Sequence, residues 1–153
     1  MINSMRADHA STEAVVVAQR LIANGNPGYL SAWHEQDGVG VATLEYPFRA
    51  NPNQGTWLIA SDGRTVDVDA DVLPDAARQR DNVKTFLAAH PDALPFAGAQ
   101  AAGTAALADG GIRLLFSTPM RTCHACADEG TLTVGYDFDA QRRFIGTEVL
   151  ELR

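Results

Sequence analysis

The sequence predicts an α+β fold, in which a mainly antiparallel sheet of consecutive hairpins carries two helices packed on one face. Asp-Gly pairs at 37–38 and 62–63 separate short segments of strand character, and such pairs are typical of tight two-residue hairpin turns. Residues 131–138 alternate between apolar and polar side chains, as in a strand with one buried face. Of the 153 residues, 46% are hydrophobic and 20% charged, which indicates a folded chain rather than a disordered one.

The first predicted helix covers residues 11–24, where apolar side chains recur at helical spacing and Gly25 supplies a stop signal. A strand is the lesser alternative for this segment, because the three valines at 15–17 lower its helix propensity. A second helix is predicted from Pro74, whose fixed φ suits a first helical position, to His90, which precedes another proline. Both helices would bury an apolar stripe against the sheet.

The other regular segments are predicted to be strands. They are Tyr29–Glu35, Val39–Phe48, Thr56–Ala60, Thr65–Val68, Ile112–Phe116, Thr131–Phe138 and Arg143–Leu152. Residues 96–108 are rich in alanine and glycine and indicate no particular element. We expect residues 1–10 to form a flexible N-terminal arm and residues 11–153 to form one α+β domain, since no repeat or linker interrupts them.

The net charge of −7 predicts an acidic surface. Such a surface disfavours nucleic acid and anionic membranes, and it favours a protein or peptide partner that is basic. No apolar run approaches the ~18 residues of a membrane-spanning helix, so no membrane span is expected. The first residues contain no apolar signal-peptide core, which indicates a cytoplasmic protein unless a leader has been removed.

Both cysteines of the chain lie in one motif, Cys123-His124-Ala125-Cys126, between two predicted strands. We expect a structural disulfide that closes this turn. A loop of this length gains only ~2 kcal/mol of stability in the chain-entropy description of disulfides. Because disulfides persist in oxidising compartments, the pair favours a periplasmic or secreted protein. His124 has no role in such a bond.

Two other chemistries remain open for Cys123, His124 and Cys126. One is a thiol redox switch on an exposed turn; a thioredoxin-like site is disfavoured because a strand, rather than a helix, follows the motif. The other is zinc binding at the two cysteines, although the primary expectation is that the protein has no cofactor. Structural zinc takes four ligands, and the chain has no second cysteine pair. The other imidazoles are distant in sequence: His9, His34 and His90.

A second candidate site is the polar loop between Tyr46 and Trp57, which contains two prolines and two asparagines. Its candidate ligand-binding residues are Arg49, Asn51, Asn53 and Gln54. Side chains of these types can bind a carboxylate, a sugar or a peptide backbone. The alternative is a long hairpin loop whose side chains satisfy their own backbone. Three aromatic residues are expected in the core: Tyr29, Trp33 and Trp57.

The sequence contains no recognisable catalytic constellation, and the expectation leans against an enzyme. We expect a small, acidic, non-enzymatic binding or accessory protein of the bacterial cell envelope, with the cysteine motif as a disulfide-closed turn. One alternative is a thiol redox or metal-binding protein centred on the same motif. Another is a cytoplasmic inhibitor or immunity-type protein that neutralises a basic partner.

Overall fold

A computed structural model describes residues 1–51, 53–96 and 98–153, so Pro52 of the polar loop and Ala97 of the unassigned segment lie outside the described residues. Within these ranges, nine strands form two antiparallel sheets accompanied by four α-helices, which confirms the α+β class. Backbone contacts divide the chain into two compact units, residues 1–67 and 68–153, each with one sheet. A single domain over 11–153 stays a prediction, since this grouping does not measure independent folding.

The first unit contains two helices and a four-stranded meander. They are α1 (Ile2–Ala7), α2 (Thr12–Ala23), β1 (Tyr29–Gln36), β2 (Val39–Glu45), β3 (Gln54–Ile59) and β4 (Thr65–Asp67). The strands lie in sequence order, each antiparallel to the next. The segment expected to be a flexible arm, residues 1–10, contains α1, which has no buried residue.

Helix α2 has the bounds that its capping residues favour. The side chain of Ser11 accepts a hydrogen bond from the backbone N–H of Ala14 (3.2 Å), and Gly25 follows the last turn with a φ of +76°. The valine run does not prevent the helix, because tertiary packing outweighs a small loss of propensity. The shared core consists of Val17, Leu21, Ala42, Leu44 and Ile59, with Leu30, Trp33, Tyr46 and Trp57 packed against it.

The two Asp-Gly pairs form different turns. Asp37 and Gly38 both have positive φ values, 50° and 86°, as a two-residue hairpin turn requires, which confirms that prediction. At 60–64 the N–H of Ala60 donates to the carbonyl of Arg64 (2.9 Å), and only Gly63 has a positive φ. This hairpin therefore has a three-residue loop, and the predicted two-residue turn is wrong here.

The second unit contains two short helices and a five-stranded sheet. They are α3 (Asp75–Arg78), α4 (Asp81–Ala89), β5 (Leu94–Pro95), β6 (Gln100–Ala106), β7 (Ile112–Arg121), β8 (Gly130–Phe138) and β9 (Phe144–Leu152). Strand β7 pairs with β5 and β6 on one side and with β8 on the other, and β8 pairs with β9. The predicted apolar face of β8 is buried: Leu132, Val134, Tyr136 and Phe138.

The helix predicted from Pro74 to His90 is interrupted. Pro74 is the N-cap of α3 rather than its first residue, and Arg80 has an extended conformation between α3 and α4. The Arg80 guanidinium donates to the carbonyl of Val149 and forms an ion pair with Glu148 on β9 (3.2 Å). At the break, Arg80 thus makes tertiary contacts that helical spacing does not predict. No helix in the described ranges is long and apolar enough to cross a membrane.

Candidate functional site

A cleft of about 630 Å³ opens in the first unit beside the loop that joins β2 to β3. Its lining comes from the turn after α2 (residues 24–27), from residues 46–49 of the loop, and from Trp57, Thr65 and Asp67 on the sheet. Small-ligand sites typically have volumes of roughly 300–1,000 Å³. The cleft therefore has the size of a binding site, and it lies at the loop that the sequence indicated.

Tyr46 organises the loop end of the cleft. Its backbone N–H donates to the carbonyl of Asn53 (2.7 Å), which extends the β2–β3 pairing into the loop. Its carbonyl accepts from the N–H of Arg49 (3.0 Å), and its hydroxyl accepts from Nε1 of Trp57 (2.9 Å). Because the indole N–H has a partner within the protein, Trp57 offers mainly ring surface to a ligand.

Arg49 lies above Tyr46, with the guanidinium carbon 4.8 Å from the ring centroid. At this distance a guanidinium is attracted to the face of the ring. In the parts of the chain that the structure describes, the Arg49 side chain forms no ion pair and no hydrogen bond, so its N–H donors remain for a ligand. Phe48, also in the lining, is fully exposed.

The turn after α2 packs directly against the loop. Oδ1 of Asn26 accepts a hydrogen bond from the backbone N–H of Gly28 (2.9 Å), which holds the turn in shape. A Cβ atom at Gly28 would lie 2.8 Å from Cε1 of Tyr46, so a side chain there would force the two segments apart. The spacing of these two parts of the lining thus depends on a glycine.

The four predicted loop residues occupy different positions. Arg49 lines the cleft. Gln54 lies in β3, where its Nε2 donates to Oε1 of Glu45, its neighbour across the sheet on β2 (3.2 Å). Asn51 and Asn53 are exposed and lie outside the lining. The structure therefore brings Arg49 to the cleft, and ligand binding by any of the four stays a prediction.

The three aromatic residues expected in the core also differ. Trp33 and Trp57 pack against the α2 core, whereas Tyr29 is exposed, so the prediction is wrong for Tyr29. Tyr29 begins the edge strand β1, where its hydroxyl donates to the carboxylate of Glu45. That hydrogen bond raises the pKa of Tyr29, because it stabilises the protonated phenol.

The cysteine motif forms an exposed turn between β7 and β8. Cys123 and Cys126 are joined in a disulfide, with their Cα atoms 5.1 Å apart, which confirms the predicted bond. The N–H of Cys126 donates to the carbonyl of Cys123 (3.2 Å), and Nη1 of Arg121 donates to the carbonyl of His124 (3.3 Å). Cys123 and His124 are exposed, so solvent reaches both the bond and the imidazole.

Other contacts hold the base of this turn. The backbone N–H of Glu129 donates to the carbonyl of Met120 (2.8 Å). The side-chain Oε2 of Glu129 lies 3.0 Å from Nδ1 of His90. The His90 ring stacks on Phe86, with centroids 4.6 Å apart. A Cβ at Gly130 would lie 2.4 Å from Cε2 of Phe86. The start of β8 therefore meets α4 with no room for a side chain.

Zinc was the alternative for Cys123 and Cys126. In a disulfide neither sulfur is a thiolate, which is the form that binds the metal. Across the described residues, no group of three or more His, Cys, Asp or Glu side chains could hold a metal ion. No arrangement in these parts of the chain adds support to the zinc alternative.

An ion-pair network on the second sheet was not anticipated from the sequence. From β7, Arg113 donates to both carboxylate oxygens of Asp137 on β8 (2.6 and 2.7 Å) and to Glu148 on β9 (2.8 Å). Its side chain lies over Gly135, where a Cβ would come within 2.6 Å. The hydrogen bond to Asp137 raises the pKa of Arg113 further above its ordinary value. The three charged side chains of this network thus bind one another within the protein, which is typical of a structural network.

No protein-family model, curated protein or solved structure matches this chain. The function is therefore inferred from the geometry of its own residues. The sequence indicated the loop from Tyr46 to Trp57, but Arg49 is the one named candidate residue in the lining, and the part of the lining formed by the turn after α2 was missed. One signal pointed to part of it: residues 24–28 combine two asparagines, two glycines and a proline directly after a helix, which is typical of a structured turn.

Proposed function

We propose that this chain is a non-enzymatic binding protein of the bacterial cell envelope, whose cleft takes a short segment of a protein or peptide partner. The observation that carries the proposal is the aromatic cleft beside the β2–β3 loop. Trp57 and Tyr46 bind each other through their polar atoms, and the exposed Phe48 adds a third ring to the lining. Large rigid aromatic side chains supply contact area with little loss of conformational entropy on binding.

The exposure of Phe48 supports binding rather than core packing. A fully exposed phenylalanine contributes nothing to the burial of apolar surface on folding. It lies next to Pro47 in a lining that also contains the free donors of Arg49. An apolar side chain at the rim of a concave aromatic surface is typical of a site completed by a partner.

The disulfide supports the proposed compartment. The Cys123–Cys126 bond needs an oxidising environment to persist, since cytosolic thiol systems keep most cysteine pairs reduced. The protein would therefore work after export, in the periplasm or outside the cell. A free-thiol assay on protein purified from its native compartment tests this part of the proposal, and two titratable thiols would contradict it.

The binding proposal can be tested by NMR titration of the ¹⁵N-labelled chain with capped neutral peptides, acetyl-Gly-Xaa-Gly-amide, in which Xaa is Phe, Trp or Leu. We expect saturable shift changes at residues 24–27 and 46–49 and at the indole N–H of Trp57, at millimolar peptide. Changes confined to other residues, or none, would contradict the proposal.

A matched pair of variants identifies the surface. Phe48→Ser should weaken peptide binding severalfold, because it removes an exposed ring from the lining. Ile145→Ser makes a similar polar change at an exposed position on β9 of the second unit and should leave binding unchanged. Both side chains are exposed, so neither change disturbs the core. Equal effects of the two variants would count against the cleft.

A second candidate function is favoured by the exposure of the disulfide. A partner thiolate can attack the accessible Sγ of Cys123, which forms a mixed disulfide and releases the Cys126 thiolate. A second thiol of the partner then closes its own disulfide and leaves both cysteines reduced. Reduction by dithiothreitol in the native state, followed by alkylation and mass spectrometry, tests this candidate. A bond that opens only in denaturant would exclude it.

A further inference from the structure

We propose that the cleft recognises a carboxylate next to an aromatic side chain, and that its occupant is the C-terminal residue of a partner chain. The inference rests on the proposed binding function, because it assigns the ligand class of the same cleft. It follows from the position of Arg49, the one arginine in a lining that is otherwise mainly aromatic, aliphatic or amide.

The guanidinium of Arg49 lies over the ring of Tyr46. The Tyr46 ring lies 4.8 Å below its central carbon, and the backbone N–H of Arg49 bonds the carbonyl of Tyr46 (3.0 Å). In the described residues no side-chain N–H of Arg49 has an acceptor, so these groups are free to bind a ligand. These groups match the two oxygens of a carboxylate and bind them in parallel.

The Tyr46 hydroxyl adds a second donor. It accepts one hydrogen bond, from Nε1 of Trp57 (2.9 Å), while its proton has no acceptor in the described residues. The lining thus presents donors at Tyr46 and Arg49 and ring surface at Trp57. A ligand that combines negative charge with a flat apolar group is complementary to this arrangement.

The lining limits the charge of the ligand. Among the residues that line the cleft, Arg49 is the one cation. A second carboxylate on the ligand would find no second cation in the lining to offset it. The chain as a whole is also acidic, with a net charge of −7. The cleft therefore suits a monoanion whose single charge lies at Arg49.

The end of a chain fits these limits better than an internal acidic segment. A C-terminal phenylalanine carries its carboxylate and its ring on the same residue, so both reach a cleft of about 630 Å³ together. An internal aspartate beside an aromatic residue brings the same groups on two residues, with the chain continuing on both sides. The occupant is therefore assigned to a chain end, and a peptide with an internal aspartate tests the alternative.

Three peptides separate these possibilities: acetyl-Gly-Gly-Phe with a free carboxylate, its C-terminal amide, and acetyl-Gly-Asp-Phe-amide. Titrations use the whole chain, with the cleft resonances as the readout. We expect the free acid to bind about tenfold or more tightly than its amide, as a charge-assisted hydrogen-bonded pair predicts. We expect the internal aspartate to bind no better than the amide. Equal binding of the aspartate peptide and the free acid would overturn the assignment to a chain end.

Arg49→Met should remove the preference for the free acid, because methionine keeps an unbranched side chain but has no charge. Arg6→Met removes the same charge from an exposed position on α1, outside the lining, and should keep the preference. Arg49→Lys, which keeps the charge but not the planar fork, should keep only part of it. The amide peptide shows whether a substitution has disturbed the loop, since it should bind with the same affinity to the natural chain and to the three variants.

The outcomes distinguish the two proposals. Equal binding of acid and amide to the unchanged protein would overturn the carboxylate inference and leave the cleft as a binding site. A preference that survives Arg49→Met would also overturn it. If neither these peptides nor the capped neutral peptides shift the cleft resonances, both the inference and the proposed function are wrong.

Discussion

Two connections of equal length are ordered in different ways. The β2–β3 connection (residues 46–53) and the β7–β8 connection (residues 122–129) each join antiparallel neighbours through eight residues. The first is organised by noncovalent contacts of Tyr46, which hold Arg49 in place and leave a cleft. The second is closed by the Cys123–Cys126 bond on an exposed turn. The disulfide constrains an exposed turn, whereas the contacts of Tyr46 order a loop and also form one side of a cleft.

Among the substitutions that test this comparison, the largest loss of stability is expected for one at the base of the disulfide turn, where β8 begins. Gly130→Ala would place a Cβ 2.4 Å from Cε2 of Phe86 and 2.7 Å from the carbonyl oxygen of Arg153. We expect the free energy of unfolding to fall by about 2–3 kcal/mol, as overpacking typically costs. Urea denaturation followed by circular dichroism measures it.

The control is Gly98→Ala in the same unit, where a Cβ would meet nothing nearer than Oδ1 of Asp69 at 3.9 Å. That change should alter stability by no more than about 0.5 kcal/mol. Similar losses for the two variants would show that packing at the base does not hold the β7–β8 connection.

The second effect comes from the disulfide itself. Replacing both cysteines, Cys123→Ser with Cys126→Ser, should lower the free energy of unfolding by about 2 kcal/mol or less, because the closed loop is very short. The contact between Glu129 and Met120 remains and still pairs the strands. Denaturant titration of the double variant, beside the reduced natural chain, measures the loss. A loss clearly larger than that of Gly130→Ala would reverse the comparison.

The third effect is in the β2–β3 connection. Tyr46→Phe removes the acceptor of the Trp57 indole N–H and should cost about 1 kcal/mol of stability, since water replaces the lost partner in part. The indole resonance of Trp57 should shift in the same variant. The control is Tyr29→Phe, which likewise removes a hydroxyl group. The Tyr29 hydroxyl donates to Glu45 at an exposed edge strand, so its loss should lower the free energy of unfolding by about 0.5 kcal/mol or less.

The smallest effect tests a third connection, which has neither a disulfide nor a cleft. The Asp139 carboxylate between β8 and β9 accepts hydrogen bonds from the backbone N–H of Arg143 and Gln141 and from Nε of Arg143. These bonds lower the pKa of Asp139 below its ordinary value of 3.8, and the bond from the backbone N–H of Arg143 has the largest effect.

A lowered pKa in the folded state gives stability that is complete above the ordinary value and is lost as the pH falls through the folded value. Asp139→Asn should therefore destabilise the protein at neutral pH, and the difference from the natural chain should shrink in acid. Denaturant titrations across that pH range measure the difference. A difference that stays constant with pH would contradict the role of the charge.

Local signals predicted the elements that depend on local chemistry. Ser11 and Gly25 bound α2 because a cap and a positive φ act within one turn of the helix. Asp37 and Gly38 form their hairpin turn for the same reason. Where the second predicted helix is interrupted, Arg80 contacts Glu148 and Val149, which lie almost seventy residues away in sequence. Helical periodicity contains no information about such a contact.

The candidate site was predictable only in part. Arg49 was found because a polar loop with proline and asparagine indicates an exposed connection. Trp57 was expected in the core, and it does pack there while one side of it reaches the cleft. The turn at 24–27 and the loop at 46–49 are about twenty residues apart in sequence and meet at Gly28 and Tyr46. Their meeting depends on how α2 packs on the sheet.

By itself, the sequence determined the α+β class, the bounds of α2 and the alternating buried face of β8, and it favoured a disulfide among the three chemistries open to its two cysteines. These features follow from spacing, capping and turn chemistry, which act over a few residues. Only the tertiary structure decided that the hairpins form two sheets and that Arg49 lies on Tyr46 beside Trp57. The physical reason is that a cleft and an ion-pair network arise from segments distant in sequence, whose contacts exist only after the helices and strands have packed.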